Sequence, residues 1–321
     1  MKATAVAHPI QGLIKYHGLR GLKERIPYHD SISVCIKALT TTTTVEPLPE
    51  LEKNDILING KRTAAQETRR IETVIHKLKE LAGFSGRFKI VSENSLTTGK
   101  GLGFSASAFA ALGLATCTVL GLELPEDQLS EIVRLGAGSS TRSLAGGFSI
   151  WYADKNGRSY AEQLQVREDM DFSMVIVPIQ SNVRTDEAHA EVLSSPLFQA
   201  RLRNIDGLLG KMKTAISGGD SAAICKLAEE DTLNLHAITM TGSSHMVLWE
   251  PDTLRIMKEI IRIREQGTLA YYSMDTGPSV FVNTCKANAE GIIEKFHDMG
   301  YNSAIVSSVG GKPFLTGNHL F

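Results

Sequence analysis

The chain has 321 residues, with 34 Lys and Arg against 35 Asp and Glu, a net charge of −1, and 42% hydrophobic against 21% charged residues. This globular composition excludes a disordered or fibrous chain, and the length suggests roughly two domains or one large one. The balanced charge argues against a general nucleic-acid or polybasic membrane binder, so any anionic ligand must be held by a few local cations.

Residues 3–13 alternate weakly and predict a strand, and 29–44, β-branched and ending in a threonine tract, predict another with one solvated face. A short strand at 56–59 runs into an Asn-Gly-Lys hairpin turn. Ile71, Val74, Ile75, Leu78 and Leu81 recur at helical spacing over 64–81, and Gly83 follows as the stop. A strand at 87–92 leads into the loop 94–103. The uncharged stretch 101–122 has the length of a membrane span, but its Gly, Ala, Ser and Thr content reads as a buried helix. A helix follows from Pro125 to about Leu135, then a Gly/Ser-rich run at 136–147 and strands at 148–152 and 174–178. Ser195-Pro196 predicts a cap with a first-turn proline opening a helix to about Ser217. Helices at 221–235, 252–264 and 287–299 and strands at 269–273, 280–284 and 303–307 complete an α+β chain. We place the lobes at 1–180 and 181–321. Cys35, Cys117, Cys225 and Cys285 lie far apart without CxxC spacing, which suits reduced thiols in a cytoplasmic protein and neither zinc nor disulfides. His8, Pro9 and Gln11 interrupt any apolar leader core.

Four segments could carry chemistry. In TTGKGLGFSAS (97–107), Gly99, Gly101 and Gly103 permit close backbone approach at the N-terminus of the uncharged helix, with Lys100, Ser105 and Ser107 alongside. A phosphate suits that helix end; so does a plain turn packing a buried helix on a sheet. The loop is neither a Walker A sequence nor GxGxxG. In GAGSSTRSLAGG (136–147), Arg142 is the only charge among small residues such as Ser139, which suits gripping a carboxylate or phosphate more than a surface salt bridge. In MDTGPS (274–279), Asp275 by itself reads as an Asx-turn or cap. In IKYHGLR (14–20), Lys15, His17 and Arg20 by themselves read as a solvated basic patch.

Taken in order, these segments resemble the GHMP-type kinases, and within them the decarboxylase branch of the mevalonate pathway. The opening 18 residues and the run YHDSISVC are more similar to the phosphomevalonate decarboxylases, which act on the 5-monophosphate. The resemblance implies a two-lobed GHMP fold with ligands in the cleft between lobes. It also implies ATP-dependent decarboxylation of mevalonate 5-phosphate through phosphorylation of the C3 hydroxyl. Two alternatives are a diphosphomevalonate decarboxylase and a kinase that stops at phosphorylation.

By the same resemblance Asp275 faces the C3 hydroxyl and Arg142 holds the carboxylate. Lys15 and Tyr16 line the substrate site, and we expect His17, Ser139, Arg184 and Thr185 to meet the substrate as well. Lys100, Gly101, Gly103, Ser105 and Ser107 cradle the ATP phosphates, with Mg²⁺ near Ser105. A homodimer is expected at the family level. The chain departs from the pattern at Ile10, Leu19 and Ala137, where polar residues are expected, and at His17, where tryptophan is usual. These losses fit a shorter anionic tail, with His17, Arg184, Thr185 and His189 as a different phosphate pocket.

Overall fold

Residues 1–21, 23–99, 101–181 and 185–321 are described by a computed structural model. The first half runs β1 (Ala3–Ala7), β2 (Ile10–Ile14), β3 (Leu19–Gly21), β4 (Ile26–Pro27), β5 (Ser31–Cys35), β6 (Thr41–Pro47), β7 (Asp55–Ile58), β8 (Lys61–Arg62), α1 (Ala65–Ala82), β9 (Phe88–Asn94), α2 (Phe104–Leu120), α3 (Glu126–Gly136), α4 (Ser140–Ala145), β10 (Phe148–Trp151) and β11 (Ala161–Gln163). The second half runs β12 (Ser173–Val177), α5 (Thr185–Glu191), a 3₁₀ turn, α6 (Phe198–Gly218), α7 (Ser221–Met240), α8 (Pro251–Glu265), β13 (Tyr271–Ser273), β14 (Val280–Thr284), α9 (Lys286–Asp298), β15 (Ile305–Ser307) and β16 (Phe314–Thr316).

Three sheets organise these elements. A six-stranded sheet, β16-β1-β6-β9-β7-β8, buries one apolar core with α1, α2 and α3. The sheets β11-β10-β5-β2 and β13-β14-β12-β15 are each four-stranded. Between them α6 and α7 build a second core that joins Leu13, Ile14, Ile32 and Phe148 to Met174, Ile176, Ile205, Met212 and Phe281. A third core packs α8 and α9 on the last sheet. Gly83 ends α1 in the left-handed region at φ 63°, as the stop signal implies. The uncharged stretch is the buried helix α2. No helix among the described residues is long and apolar enough to cross a membrane. All four thiols are free.

Several expectations need correction. The strand expected over 3–13 is two strands in different sheets, because Pro9 has no N–H to continue a ladder. The span 29–44 likewise divides into β5 and β6. The threonine tract is more covered than expected: Thr41 and Thr44 are 0% exposed and Thr43 1%, with β6 between β1 and β9 and α2 across it, while Thr40 and Thr42 stay partly exposed. Its hydroxyls are satisfied internally, Thr43 by Ser92 at 2.9 Å and Thr44 by Thr4 at 2.7 Å. Ser195 and Pro196 form a turn before α6, with the Ser195 hydroxyl accepting from the Leu197 N–H at 3.2 Å. The Gly/Ser-rich run contains the short helix α4. The strands β3, β4, β11 and β16 carry too few residues to show a period.

Candidate active site

The site begins at an irregularity in β2. Its register with β5 shifts between Gly12 and Ile14, and β2 is the edge strand of its sheet, with an edge free of ladder partners. The Gly12 N–H donates to both carboxylate oxygens of Asp275, at 3.1 and 3.3 Å. A Cβ at position 12 would lie 2.8 Å from Asp275 Oδ1 and 2.6 Å from Lys15 Cγ, so the approach requires glycine. Asp275 sits just past β13 and remains partly exposed. Burial pushes its pKa up to about 6 against the opposing pull of Lys15, Arg142 and the Gly12 N–H.

Lys15 is only 4% exposed. Its ammonium donates to Thr232 Oγ1 at 2.9 Å and Ser273 Oγ at 3.0 Å, and lies 3.7 Å from Asp231 Oδ2. The Lys15 backbone N–H also donates to Asp231, at 2.9 Å. Arg201 completes the brace, reaching Asp231 Oδ1 at 2.8 Å, the Lys15 carbonyl at 2.6 Å and Asn234 at 2.6 Å. Burial lowers the Lys15 pKa, and Asp231 and Asp275 oppose the shift. Lys15 is thus a buried side chain with internal partners beside Asp275, in contrast to the solvated patch that its sequence context suggests.

Arg142, on α4, is 2% exposed, and its Nε and Nη1 meet no hydrogen-bond partner among the described residues. Its guanidinium lies 5.4 Å from the Tyr16 ring centroid and 5.8 Å from that of Trp151. The pKa, lowered by burial to about 10, leaves it charged at neutral pH. A buried cation held by ring faces, with two donors unsatisfied among the described residues, suits an anion. Ser139 is the half-buried N-cap residue of the same helix.

The glycine loop closes over this group. Gly101 and Gly103 have φ 81° and 73°, and a Cβ at Gly101 would meet the Gly277 backbone at 2.9 Å. The loop therefore packs directly on the turn that carries Asp275. The helix α2 starts after Gly103 without a side-chain cap, which leaves its first N–H groups to an anion. Ser105 is exposed in its first turn. Ser107 does not belong to this cradle: it is 0% exposed and bonded to Thr41 Oγ1 at 2.6 Å. Ser105 also borders a mostly apolar crevice lined by Ile56, Ile58, Arg70, Ile90 and Phe109.

His17 is 1% exposed, with both ring nitrogens engaged by His189 and Thr239, so it stands behind the cleft wall and does not reach a ligand directly. Tyr16 is in the wall itself. Lys100 and Arg184 lie outside the described residues; Thr185 opens α5, and its side chain also lies outside them. Sequence reasoning missed Gly12, Asp231, Arg201, Thr232 and Ser273. One signal was available: Asp231 interrupts the apolar stripe Ile224, Leu227, Ala228, Leu235 and Ile238 of α7.

Fold and site together define a GHMP-type decarboxylase of the mevalonate pathway. Residues 7–161 match the diphosphomevalonate decarboxylase-like N-terminal domain, and 183–312 the mevalonate 5-diphosphate decarboxylase C-terminal domain. The chain belongs to this family. It is 39% identical to the phosphomevalonate decarboxylase of Haloferax volcanii, covering 97% of this chain and 96% of that one. The diphosphomevalonate decarboxylase of Candida albicans is 29% identical, at 91% and 87% coverage. Among solved structures, mevalonate diphosphate decarboxylase from Staphylococcus aureus superposes with TM-score 0.92 at 29% identity, covering 98% of both chains. The Enterococcus faecalis enzyme, described with a mevalonate diphosphate mediated ATP binding mechanism, gives TM-score 0.91 at 27% identity and 99% coverage of both. A structure of MDDEF in complex with MVAPP, AMPPCP and magnesium gives 0.91 at 26% identity, again with 99% of both chains covered.

Proposed function

We propose that the protein catalyses ATP-dependent decarboxylation of mevalonate 5-phosphate to isopentenyl phosphate, releasing ADP, phosphate and carbon dioxide. The observation that carries this reading is the buried Arg142 guanidinium, its Nε and Nη1 without a partner among the described residues, beside Asp275 on the Gly12 N–H. In this reading Arg142 fixes the substrate carboxylate, and Asp275 orients the C3 hydroxyl or takes its proton as the γ-phosphoryl group arrives. Transfer of that group needs mainly positioning and charge stabilisation, which the Gly101–Gly103 backbone and the α2 N-terminus provide. The tertiary phosphate then leaves as positive charge develops at C3. The carbon–carbon bond held by Arg142 breaks and supplies its electron pair to C3. Orientation by Arg142 is the larger contribution, with Asp275 acting electrostatically. The crevice beside Ser105 is the proposed seat of the adenine.

Among the described residues no three His, Cys, Asp or Glu side chains gather to hold a metal. The exposed Ser105 hydroxyl in the first turn of α2 would supply a ligand to Mg²⁺. Held there, the ion would neutralise phosphate charge.

The monophosphate is favoured because Ile10, Leu19 and Ala137 carry no polar group where the resemblance calls for one, and by the 39% identity to a phosphomevalonate decarboxylase. We further propose lobes at 1–180 and 181–321, a cytoplasmic enzyme and a homodimeric assembly. The test is turnover of mevalonate 5-phosphate and 5-diphosphate side by side, following ADP and carbon dioxide. A higher kcat/KM for the monophosphate is expected. Preference for the diphosphate overturns the substrate, and ADP without carbon dioxide overturns the decarboxylation.

A further inference from the structure

Two sheet edges meet at the site. The strand β2 ends one four-stranded sheet and β13 ends the other. Side chains join them in place of a backbone ladder. The Ser273 hydroxyl oxygen lies 3.3 Å from the Gly12 carbonyl oxygen, and the Asp275 carboxylate takes the Gly12 N–H at 3.1 Å. Two residues apart at the end of β13, Ser273 and Asp275 thus hold the two main-chain polar groups of one residue of β2. Ser273 is 0% exposed, as is Thr232 on α7, so water does not replace their bonds.

The protons can be placed without conflict. A carbonyl only accepts, so Ser273 donates its one hydroxyl proton to Gly12, and Thr232 donates its own to the Ala228 carbonyl at 2.8 Å. The Lys15 side-chain nitrogen is then the donor to both hydroxyl oxygens, at 2.9 Å to Thr232 and 3.0 Å to Ser273. It bridges the two oxygens, which are 3.2 Å apart. Thr232 accepts a second bond from the Met274 N–H at 3.3 Å. Met274 stands between Ser273 and Asp275, so this end of β13 is pinned from α7 as well as from β2.

We propose that Ser273 is a positioning residue for the reaction. By holding the Gly12 carbonyl it sets the spacing of the two sheet edges at which the Gly12 N–H meets Asp275. Arg142 belongs to the first half of the chain and Asp275 to the second. The Ser273 bond therefore fixes Asp275 against the Arg142 side of the site. This inference rests on the proposed role of Asp275.

The test begins with steady-state kinetics of full-length Ser273→Ala and Ser273→Thr. Carbon dioxide is followed on whichever mevalonate phosphate the unaltered enzyme turns over faster. Alanine removes the hydroxyl and threonine keeps it. Ser273→Ala should lower kcat by roughly 10- to 100-fold, as for a misplaced reacting group, with KM for substrate and ATP largely unchanged. Ser273→Thr should restore kcat. A second measurement uses the unaltered protein, labelled with ¹³C-serine and assigned through the backbone. In equal parts of H₂O and D₂O the Ser273 Cβ signal should split in two, because a buried, bonded hydroxyl proton exchanges slowly. Unchanged kcat in Ser273→Ala overturns the proposal, as does a loss carried by KM alone. So does a Ser273→Thr variant that melts like the unaltered protein yet turns over like Ser273→Ala. Where a variant does not fold, the Cβ signal decides: a split line supports the donation to Gly12, and a single averaged line overturns it. Failure of the Asp275 reading shows separately, as near-normal turnover by Asp275→Asn.

Discussion

Asp275 and Arg142 are both held in states that cost stability. Asp275 has its pKa raised from 3.8 to about 6 by burial. Below pH 4 the carboxyl is protonated in the folded and unfolded chains alike, and nothing is lost. Between pH 4 and 6 the unfolded chain ionises first, so the folded state loses stability as pH rises, by about 2–3 kcal/mol once both are ionised. Asp275→Asn should therefore raise the melting temperature at pH 7 and flatten its pH dependence over that interval. It should also cut turnover by roughly 10²–10⁴-fold, the range for a lost acid–base group, while sparing ATP binding. Calorimetry beside a carbon dioxide assay checks both. In the unaltered enzyme, kcat/KM should rise with pH through about 6 as the anion forms. Arg142 behaves similarly. Arg142→Met keeps a long apolar stem between Tyr16 and Trp151 and removes a buried cation whose Nε and Nη1 lack partners among the described residues. The fold should hold or gain stability while kcat/KM falls by roughly 30-fold or more, as when one partner of a buried charge pair is truncated. A melt and steady-state kinetics with mevalonate 5-phosphate read the two effects.

At the scale of elements, the site depends on two backbone approaches. The first is the irregular β2 segment, where Gly12 lets the Asp275 carboxylate and the Lys15 stem lie against the main chain. Gly12→Ala must push one of them away. We expect kcat to fall by up to roughly 10²-fold through misplacement of the reacting group, with little change in far-ultraviolet circular dichroism. The second is Gly101 on Gly277, which couples the phosphate loop to the Asp275 turn.

The sequence announced these elements unequally. Helices α1 and α8 were legible because their apolar residues keep a 3.6 period between clear stops, and the glycine loop because of its composition. The motifs of the site were legible only as an ordered set: Asp275 taken singly reads as a turn residue. The brace was not legible, because Asp231 and Arg201 come from two helices that show no link in sequence until α6 and α7 pack on β2. The threonine tract misled because its pattern reports β propensity and not which neighbours cover the strand.

At the scale of the molecule, the two halves of the chain are joined in ways that a simple pair of lobes does not suggest. One core takes side chains from β2, β5 and β10 in the first half and from β12, α6, α7 and β14 in the second. The last strand, β16, returns to pair with β1 at the edge of the amino-terminal sheet. The charged brace crosses the same divide, with Lys15 on one side and Asp231 and Arg201 on the other. These contacts predict one cooperative transition in which calorimetric and van't Hoff enthalpies agree. Asp231 is the sharpest probe of that coupling. It is 0% exposed and is the carboxylate that both Lys15 and Arg201 approach. Asp231→Asn would leave the buried Arg201 guanidinium facing a neutral amide, a loss of about 3–5 kcal/mol for a broken buried pair. We expect the whole transition to move to lower temperature as a single peak, at pH values well above the carboxylate range. A variant whose second-half helices melt ahead of the amino-terminal sheet would show that the two halves are stabilised separately, and that the shared core does not couple them.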